Sequence, residues 1–542
     1  MTDIASSGPD QAGPADGLDV VLEAARPELY SLNAFRIAEL PVDATARDLV
    51  RRQQMVEMAT QAGLPVPPGP GRALPLGTPD AETLAAALQR LRDPERRLVD
   101  EFFWFWPHHL GHSRDDPALT ALAQGDRDTA TRLWVEQERA YSEANVSMHN
   151  LAIVAHVLAL DLENAGRSRA LSPQELQARD QAWAGALQRW RLLLDHEGFW
   201  SRLTARIRDL DDPRLTTGTA RRLRASLPAA LLSINAQLAA SAAERGQVQE
   251  AKRHLGFISA SGFDKPTQEQ AVERAVEPYR ARLRALCKAA TSEAEARPEK
   301  GDEVTRRLLF EARPLLATLD VVLPAQHPTR TTLHDEVAQA ALRCQIAFGN
   351  KTDNWAVSLQ LLEMARPIAV GQAACDRLDE NIRIVKGNLQ FSQCFFCGSR
   401  PGNDKAALEV KMFGDVTRTP VWSGGGMATR VSWRQATIRV PRCPLCKAGH
   451  DRCNAAIAVG TTIGALIGLG GCAAVASSAK DATCGGIIVL VVGIFIGAGL
   501  GALIGRGMLG AGTKPEDAKN QFPPIADKLK QGWQLGEKPN QQ

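Results

Sequence analysis

Four of the chain's ten cysteines stand in pairs, Cys394 and Cys397 in "CFFCG" and Cys443 and Cys446 in "CPLCK". A spacing of two intervening residues lets both thiolates of a pair turn toward one ion. Four thiolates complete the tetrahedral shell of Zn2+ and leave no position for substrate or water. The chemistry this implies is structural zinc binding by Cys394, Cys397, Cys443 and Cys446, not catalysis by the metal. A redox role is the rival reading. Two such pairs flanking a strand-rich stretch suit metal binding better than the βαβ setting of a dithiol oxidoreductase. His450 and Cys453 are near enough in sequence to substitute as ligands, but with four ligands present they read as part of a polar stretch.

Something must hold the two pairs together, and the residues between them alternate as strands do. Leu408, Val410 and Met412 alternate in "LEVKMF", Val431 and Trp433 in "VSW", and Ile438 and Val440 in "IRV". Residues 392–453 therefore resemble a zinc ribbon, the resemblance resting on the four cysteines alone. The glycine-rich insert "WSGGGMA" is longer than the tightest ribbons carry. Between Ser392 and Asn454 there are ten basic and four acidic residues, which raises nucleic acid as a partner. The stretch that follows makes anionic lipid headgroups the simpler explanation.

That stretch is a pair of uncharged segments. The first runs 25 residues from Ala455 to Ala479, with Gly460, Gly464 and Gly468 at every fourth position. The second runs from Ala482 to Gly505, with Gly493, Gly497, Gly501 and Gly505. At ~1.5 Å per residue each is long enough for a ~30 Å hydrocarbon layer. Only Lys480 and Asp481 separate them, so 455–505 reads as a transmembrane helical hairpin whose glycine faces allow close backbone approach. A buried hairpin in a soluble core and a self-assembling pore are the alternatives. Arg442, Lys447 and Arg452 precede the hairpin and Arg506, Lys514 and Lys519 follow it, while the connection is net neutral. Positive flanks put both ends in the cytoplasm. The opening "MTDIASSGPDQAGPADGLD" has no apolar stretch of the secretory kind, which agrees. Cys472 and Cys484, near the far end, could pair across the hairpin in an oxidising space or simply be small apolar residues. With the amino-terminal bulk in the cytosol, the remaining cysteines do not suggest a disulfide framework.

Nearer the amino terminus, "LNAFRIAEL", "PVDATARDLVRRQQMVEMATQAG" and "DAETLAAALQRLRDPERRLVDEFFWFWP" read as a helix, a second helix capped by Asp43 or Thr45, a long loop, and a third helix capped by Thr78 or Asp80 with a break inside it. This stretch resembles a J domain in the entry before "LPVDAT" and in "LRDPERRLVD", at Asp93, Pro94, Glu95 and Arg97. The family's His-Pro-Asp tripeptide after the second helix is absent, the loop reading "LPVPPGPGRALPLGTPD". Thr78-Pro79-Asp80 sits at the wrong end of that loop and serves as a helix start. The resemblance implies a fold kept for docking rather than for stimulating an Hsp70-type ATPase. Phe102, Phe103, Trp104, Phe105 and Trp106 read as core, with a partner-binding hot spot as the alternative. His108, His109 and His112 follow in a loop without supporting carboxylates or cysteines.

From Arg114 to Gln390 apolar residues recur at three and four spacing, which is a helical pattern. In "LTALAQGDRDTATRLW" Gly125 stands five before Ala130, and in "LAASAAERGQVQEAKRHL" Gly246 stands five before Ala251. These pairs resemble tetratricopeptide helices, with glycine for the turn and alanine for the crossing; "AFGNKTDNWAVSLQLLEMARPIA" is a looser third. The two glycines are not separated by a multiple of the usual period, so a regular array is not implied. Such stacks present concave surfaces to proteins, or act as spacers. Arg36 and the arginine pairs at Arg51, Arg96 and Arg221 read as solvated faces, as do the scattered acids. There is no P-loop, no GxGxxG after a strand, no GxSxG and no HExxH, and the expectation is no enzyme.

The 542 residues, 44% apolar and 5% aromatic, suit several mainly helical domains. The expected order is a disordered tail (1–27), a J-like module (28–112), a tetratricopeptide-like region (113–391), a zinc ribbon (392–453), the transmembrane hairpin (455–505) and a cytosolic tail (506–542). The expected fold is thus mainly α, with a small β-rich ribbon. Net charge is +3, with 17 basic and 9 acidic residues from Ser392 onward. The expected function is a membrane-anchored, cytosol-facing scaffold or chaperone-like adaptor that binds proteins through its helices, can self-associate through its glycine faces, and does not engage nucleic acid. The alternatives are an Hsp70-type co-chaperone and a glycine-zipper pore or stress effector.

Overall fold

In a computed structural model the chain is mainly helical with one small three-stranded sheet. The structure describes residues 19–74, 79–140, 145–216, 218–423, 426–476, 483–507, 509 and 512–539. The chain forms two compact units, Met1–Lys288 with Leu308–Val337, and Ala289–Arg307 with Ala338–Gln542.

The first unit begins with α1 (Asp19–Ala24), α2 (Ala34–Ala38), α3 (Ala46–Gln61), α4 (Ala81–Arg90) and α5 (Pro94–Phe102). Local chemistry sets their starts. Thr45 and Asp48 form a capping box on α3, Asp80 accepts from Thr83 N–H at the start of α4, and Asp93 caps α5 with Pro94 as the first helical residue. Each such cap stabilises its helix by ~1 kcal/mol. Asp43, the other candidate for α3, instead accepts from the backbone of Gly111 and Ser113 (2.8 and 3.3 Å). Thr78 lies outside the described residues. The loop after α3 folds back on the end of α2. Arg52 Nη1 donates to Pro67 O (2.6 Å), and Gly71 N donates to Glu39 O (2.8 Å). A Cβ on Gly71 would collide with the Pro41 backbone, so this approach requires glycine.

Two arginines read as solvated are not. Arg36 is 7% and Arg52 4% exposed. Arg36 Nε donates to Leu74 O (3.2 Å) and Arg52 Nε to Ala38 O (3.0 Å). Ala38 O is a carbonyl left open at the end of the five-residue α2 and Leu74 O one in the loop after α3, and guanidinium donors reach both. Asp100 and Glu101 are buried for a related reason, answered by Arg90, Arg97 and Arg206.

The aromatic run is core. Phe102, Phe103, Trp104, Phe105 and Trp106 are each 0–2% exposed. Its irregular backbone is satisfied from α8 (Asn145–Ser168). Asn150 bonds both Trp106 N and Trp106 O (2.9 and 2.7 Å), and the His149 ring meets Phe102 O at 2.7 Å. Before α8 come α6 (Pro117–Ala123) and α7 (Arg127–Ala140); after it come α9 (Pro173–Leu194), α10 (Glu197–Asp209), α11 (Thr219–Glu244) and α12 (Val248–Ala260). Phe102 stacks on Trp190 of α9 (5.6 Å between ring centroids), and Phe105 on Trp134 of α7 (5.5 Å). Gly125 and Gly246 take φ of +83° and +74° in the α6–α7 and α11–α12 turns, with Ala130 and Ala251 fully buried at the crossings. Both pairs do what their spacing implied.

Next in sequence are α13 (Lys265–Ala296), α14 (Gly301–Val322) and α15 (Pro328–Thr352), each with residues in both units. The second unit continues with α16 (Trp355–Ala365), reached through Asp353 at φ +53° rather than a glycine, and α17 (Gln372–Ser392).

A hairpin of β1 (Leu408–Ser423) and β2 (Gly426–Val440) follows, paired from Leu408↔Val440 to Ser423↔Gly426 with a shift between Gly414 and Thr417. Two long helices come next, α18 (Pro444–Ala476) and α19 (Thr483–Gly507). Segment 506–542, read as a polar tail, returns to the sheet. Its α20 (Pro523–Lys530) leads into β3 (Gln534–Leu535), which pairs with Met412 and Phe413, and Trp533 covers Gly414.

The helices α18 and α19 touch along their glycines. A Cβ on Gly460 would collide with Gly497 O, and one on Gly501 would lie 2.5 Å from Ala456 O. Val459, Ile463, Leu466, Ile467, Phe495 and Leu503 point outward, each more than half exposed. Lys480, Asp481 and the side chains of Cys472 and Cys484 lie outside the described residues. Among the described residues one helix, Val146–Ser168, is by itself long and apolar enough to cross a membrane, but its apolar window is 67% buried, as in a core helix; Ile494–Gly507 is apolar and shorter.

Candidate metal centre

The first cysteine pair sits just past α17 in a tight turn. Cys394 N donates to Arg400 O and Gly398 N to Cys394 O (both 2.8 Å), with Gly398 at φ +62°. That conformation strains other residues, which accounts for the glycine directly after Cys397. The second pair opens α18. Cys443 precedes Pro444, the first helical residue, and Lys447 N donates to Cys443 O (3.0 Å). Backbone bonds join the two turns, from Phe395 N to Pro441 O (2.9 Å) and from Asn403 N to Arg442 O (3.1 Å).

These turns bring all four sulfurs within 4.8 Å of one another, and the Cys397 and Cys443 sulfurs are 4.0 Å apart. Sulfurs at ~2.3 Å from a tetrahedral ion stand ~3.8 Å apart, so the cluster fits a single metal ion. Cys394, Cys443 and Cys446 are buried and Cys397 is half-buried. Burial pushes the Cys394 and Cys446 thiols upward. Burial opposes ionisation of Cys397 as well, but the Ser399 N–H and hydroxyl, Cys394 and the Arg400 N–H bring it down to about 6. Cys443 is likewise held down against burial, chiefly by hydrogen bonds from Cys446. The protein groups thus favour the charged form at Cys397 and Cys443 and oppose it at Cys394 and Cys446, and a cation between the four sulfurs would favour ionisation of all of them.

The shell around the sulfurs comes from every part of the module. Val410, Met412 and Val440 of the sheet, Phe396 of the first turn, and Phe522 and Ile525 of the returning tail form one apolar cluster with the cysteines. His450 is not a fifth candidate ligand. Its Nε2 meets Lys514 O (3.0 Å), its Nδ1 faces Arg442 Nη1 (3.3 Å), and its ring stands edge-on to Phe396. Cys453 instead lies where a Cβ on Gly505 would strike its sulfur.

Among the described residues one other group brings three ligand atoms together, Glu163 of α8 with Glu250 and His254 of α12. The sequence shows only the four-residue step from Glu250 to His254, because Glu163 arrives through the fold. Guanidiniums already occupy this place. Arg179 lies 3.6 Å from Glu163 and 3.3 Å from Glu250, and Arg253 lies 2.9 and 2.6 Å from the same pair. A divalent cation would have to displace them. His108, His109 and His112 do not converge as ligands, and the carbonyl of His108 accepts from Arg202.

Compared with protein families, with curated proteins and with solved structures, the chain finds no match. What the geometry defines by itself is a cluster of four cysteines close enough together to hold a metal ion, in a mainly helical chain.

Proposed function

We propose that this chain is a membrane-anchored scaffold or chaperone-like adaptor whose four cysteines hold a structural zinc ion and whose helices bind proteins on the cytoplasmic side. The observation that carries the reading is the joining of the apolar hairpin to the cysteine cluster. The helix α18 starts at the second cysteine pair, and at the foot of the hairpin Asn454 Nδ2 donates to Glu516 Oε2 (3.0 Å) while His450 meets Lys514 O. Both ends of the hairpin are thereby held beside one metal module, which favours a spanning anchor with both flanks on the same side. Outward aliphatic side chains facing no protein favour lipid as their surroundings.

Zinc is the choice because four thiolates suit a soft-leaning ion with tetrahedral preference, and a closed site favours a structural role. The turns at Gly125 and Gly246 support tetratricopeptide-like helix pairs as the protein-binding element. The capped order of α2 to α5 supports the J-like reading, and the loop tied down by Arg52 and Glu39, without a His-Pro-Asp tripeptide, favours docking over ATPase stimulation. The full chain expressed in cells should stay with the membrane fraction after an alkaline carbonate wash. Release into the supernatant would remove the anchor from the account.

A further inference from the structure

A cleft of about 530 Å³ opens in the first unit between the end of α8, the start of α9 and the α11–α12 turn. Its volume falls in the range of small-molecule sites. Its apolar wall includes Leu171, Leu176 and Leu238, and its rim carries Arg167, Arg169 and Arg245. Among the described residues Arg245 meets only neutral partners, Ser241 Oγ (2.6 Å) and Gln247 Oε1 (3.2 Å). Arg167 and Arg169 each face one acid, Glu28 and Glu175, in ion pairs exposed to water. Water screens both pairs; Arg167 holds Glu28 through one contact, whereas Arg169 holds Glu175 through both guanidinium nitrogens.

The floor does not repel an anion, although it contains Glu163 and Glu250. Burial works against the Glu163 charge, yet His254 and Arg253 hold its carboxyl down at about 2. The Trp183 indole donates to it at 3.0 Å, and Arg179 and Arg253 answer both carboxylates. Asp180 also pairs with Arg179 and Arg253 (3.3 and 2.7 Å), so the floor is a closed ion-pair network, and the rim arginine without an acidic partner among the described residues is Arg245.

We propose that this cleft binds a small phosphate monoester, its phosphate taken by Arg169 and Arg245 with Arg167 beside them, and its organic body lying on Leu171 and Leu238. The arginine fork matches phosphate oxygens in pairs. A monoester carries about −1.5 to −2 at pH 7 with three acceptor oxygens, enough to replace Glu28 and Glu175 together, which a single carboxylate is not. The apolar wall selects an ester over inorganic phosphate.

The test titrates phenyl phosphate into the detergent-solubilised full chain by calorimetry at low salt, with inorganic phosphate, benzyl alcohol and a phosphoserine peptide in parallel. One saturable site is expected for phenyl phosphate, weaker binding for inorganic phosphate, and none for benzyl alcohol. Arg169→Gln with Arg245→Gln should weaken phenyl phosphate at least tenfold at an unchanged thermal midpoint, while Arg282→Gln, an exposed arginine paired with Glu244 outside the cleft, leaves it unaltered. No saturable binding, or equal affinity in the double variant, would overturn the site. Tighter binding of the peptide would overturn the small-molecule assignment.

Discussion

Around Trp190 the first unit is filled with carbon. Phe102, Trp106, Trp183, Trp190 and Phe199 are all fully buried there, packed ring against ring. Around Cys443 the second unit's sheet has a smaller apolar layer, with Phe396, Val410, Met412, Val440, Phe522 and Ile525 buried and Phe395, Leu408, Ile438, Leu529 and Trp533 partly buried against them. A layer of that size sets less apolar burial against the chain entropy of ordering two turns, a sheet and a returning tail. The sulfurs stand where the missing core would be, and a metal ion bound there is coupled to folding. On the zinc reading proposed above, the contrast is between a unit held by many weak contacts and a module held by one centre that is present or absent.

The comparison can be broken at its strongest point by removing sulfur. Structural zinc in small modules supplies an apparent ~10–16 kcal/mol, so Cys443→Ser should unfold the sheet and tail outright, exposing segment 514–539 to protease. The melt of the aromatic unit, followed by tryptophan near-ultraviolet dichroism, should not move. A joint loss would show that the two regions are one cooperative block.

In the opposite direction, Trp190→Ala should cost the aromatic unit ~3–5 kcal/mol and leave metal content unchanged. Metal content falling with that melt would contradict the separation.

How far these regions could be read in advance follows from the range of their interactions. Thr45 and Asp80 act within three residues, and Gly125 and Gly246 within one turn, so the chain shows the two glycine turns and narrows each cap to two candidates; the cap at Asp93, equally local, is hidden inside a segment that reads as one broken helix. The cysteine spacing was visible because each pair is a local turn. Arg36 and Arg52 looked like solvated faces because the carbonyls they serve, at Leu74, Ala38 and Pro67, are brought to them only by folding. The same holds for β3, a two-residue strand with no pattern of its own, and for Glu163, which lies about ninety residues from Glu250.

A smaller effect separates the helical contacts at the hairpin. Gly497→Leu places a side chain against Gly460 O and Gly464 Cα, forcing α18 and α19 apart. Detergent-solubilised protein should lose several degrees of thermal midpoint or change assembly size, whereas Gly499→Leu, with open space around it, should not. Equal behaviour of the two variants would remove the glycine contact from the account.

The smallest expected effect is a slope. His156 is buried among Tyr30, Trp183 and Trp190, and burial pushes its pKa down to about 3. The unfolded chain then takes up a proton below pH ~6.5 that the folded one refuses, so stability falls as pH drops from 6.5 toward 3. His156→Gln removes that titration and should flatten the loss by ~1.4 kcal/mol per pH unit in this window, read from chemical denaturation at pH 6.5 and 4.5. Buried Asp100, raised to about 6 mainly by burial, acts in the reverse direction in both proteins and cancels in the difference. An unchanged slope would contradict the neutral buried ring.

The central claim is that a metal stands in for a core at Cys394, Cys397, Cys443 and Cys446. Elemental analysis of the full chain, purified in detergent under reducing conditions, tests it most directly. The account predicts about one zinc per chain, lost when Cys394→Ser and Cys443→Ser are combined; a reduced, folded protein without bound metal, or a double variant that keeps it, would contradict it.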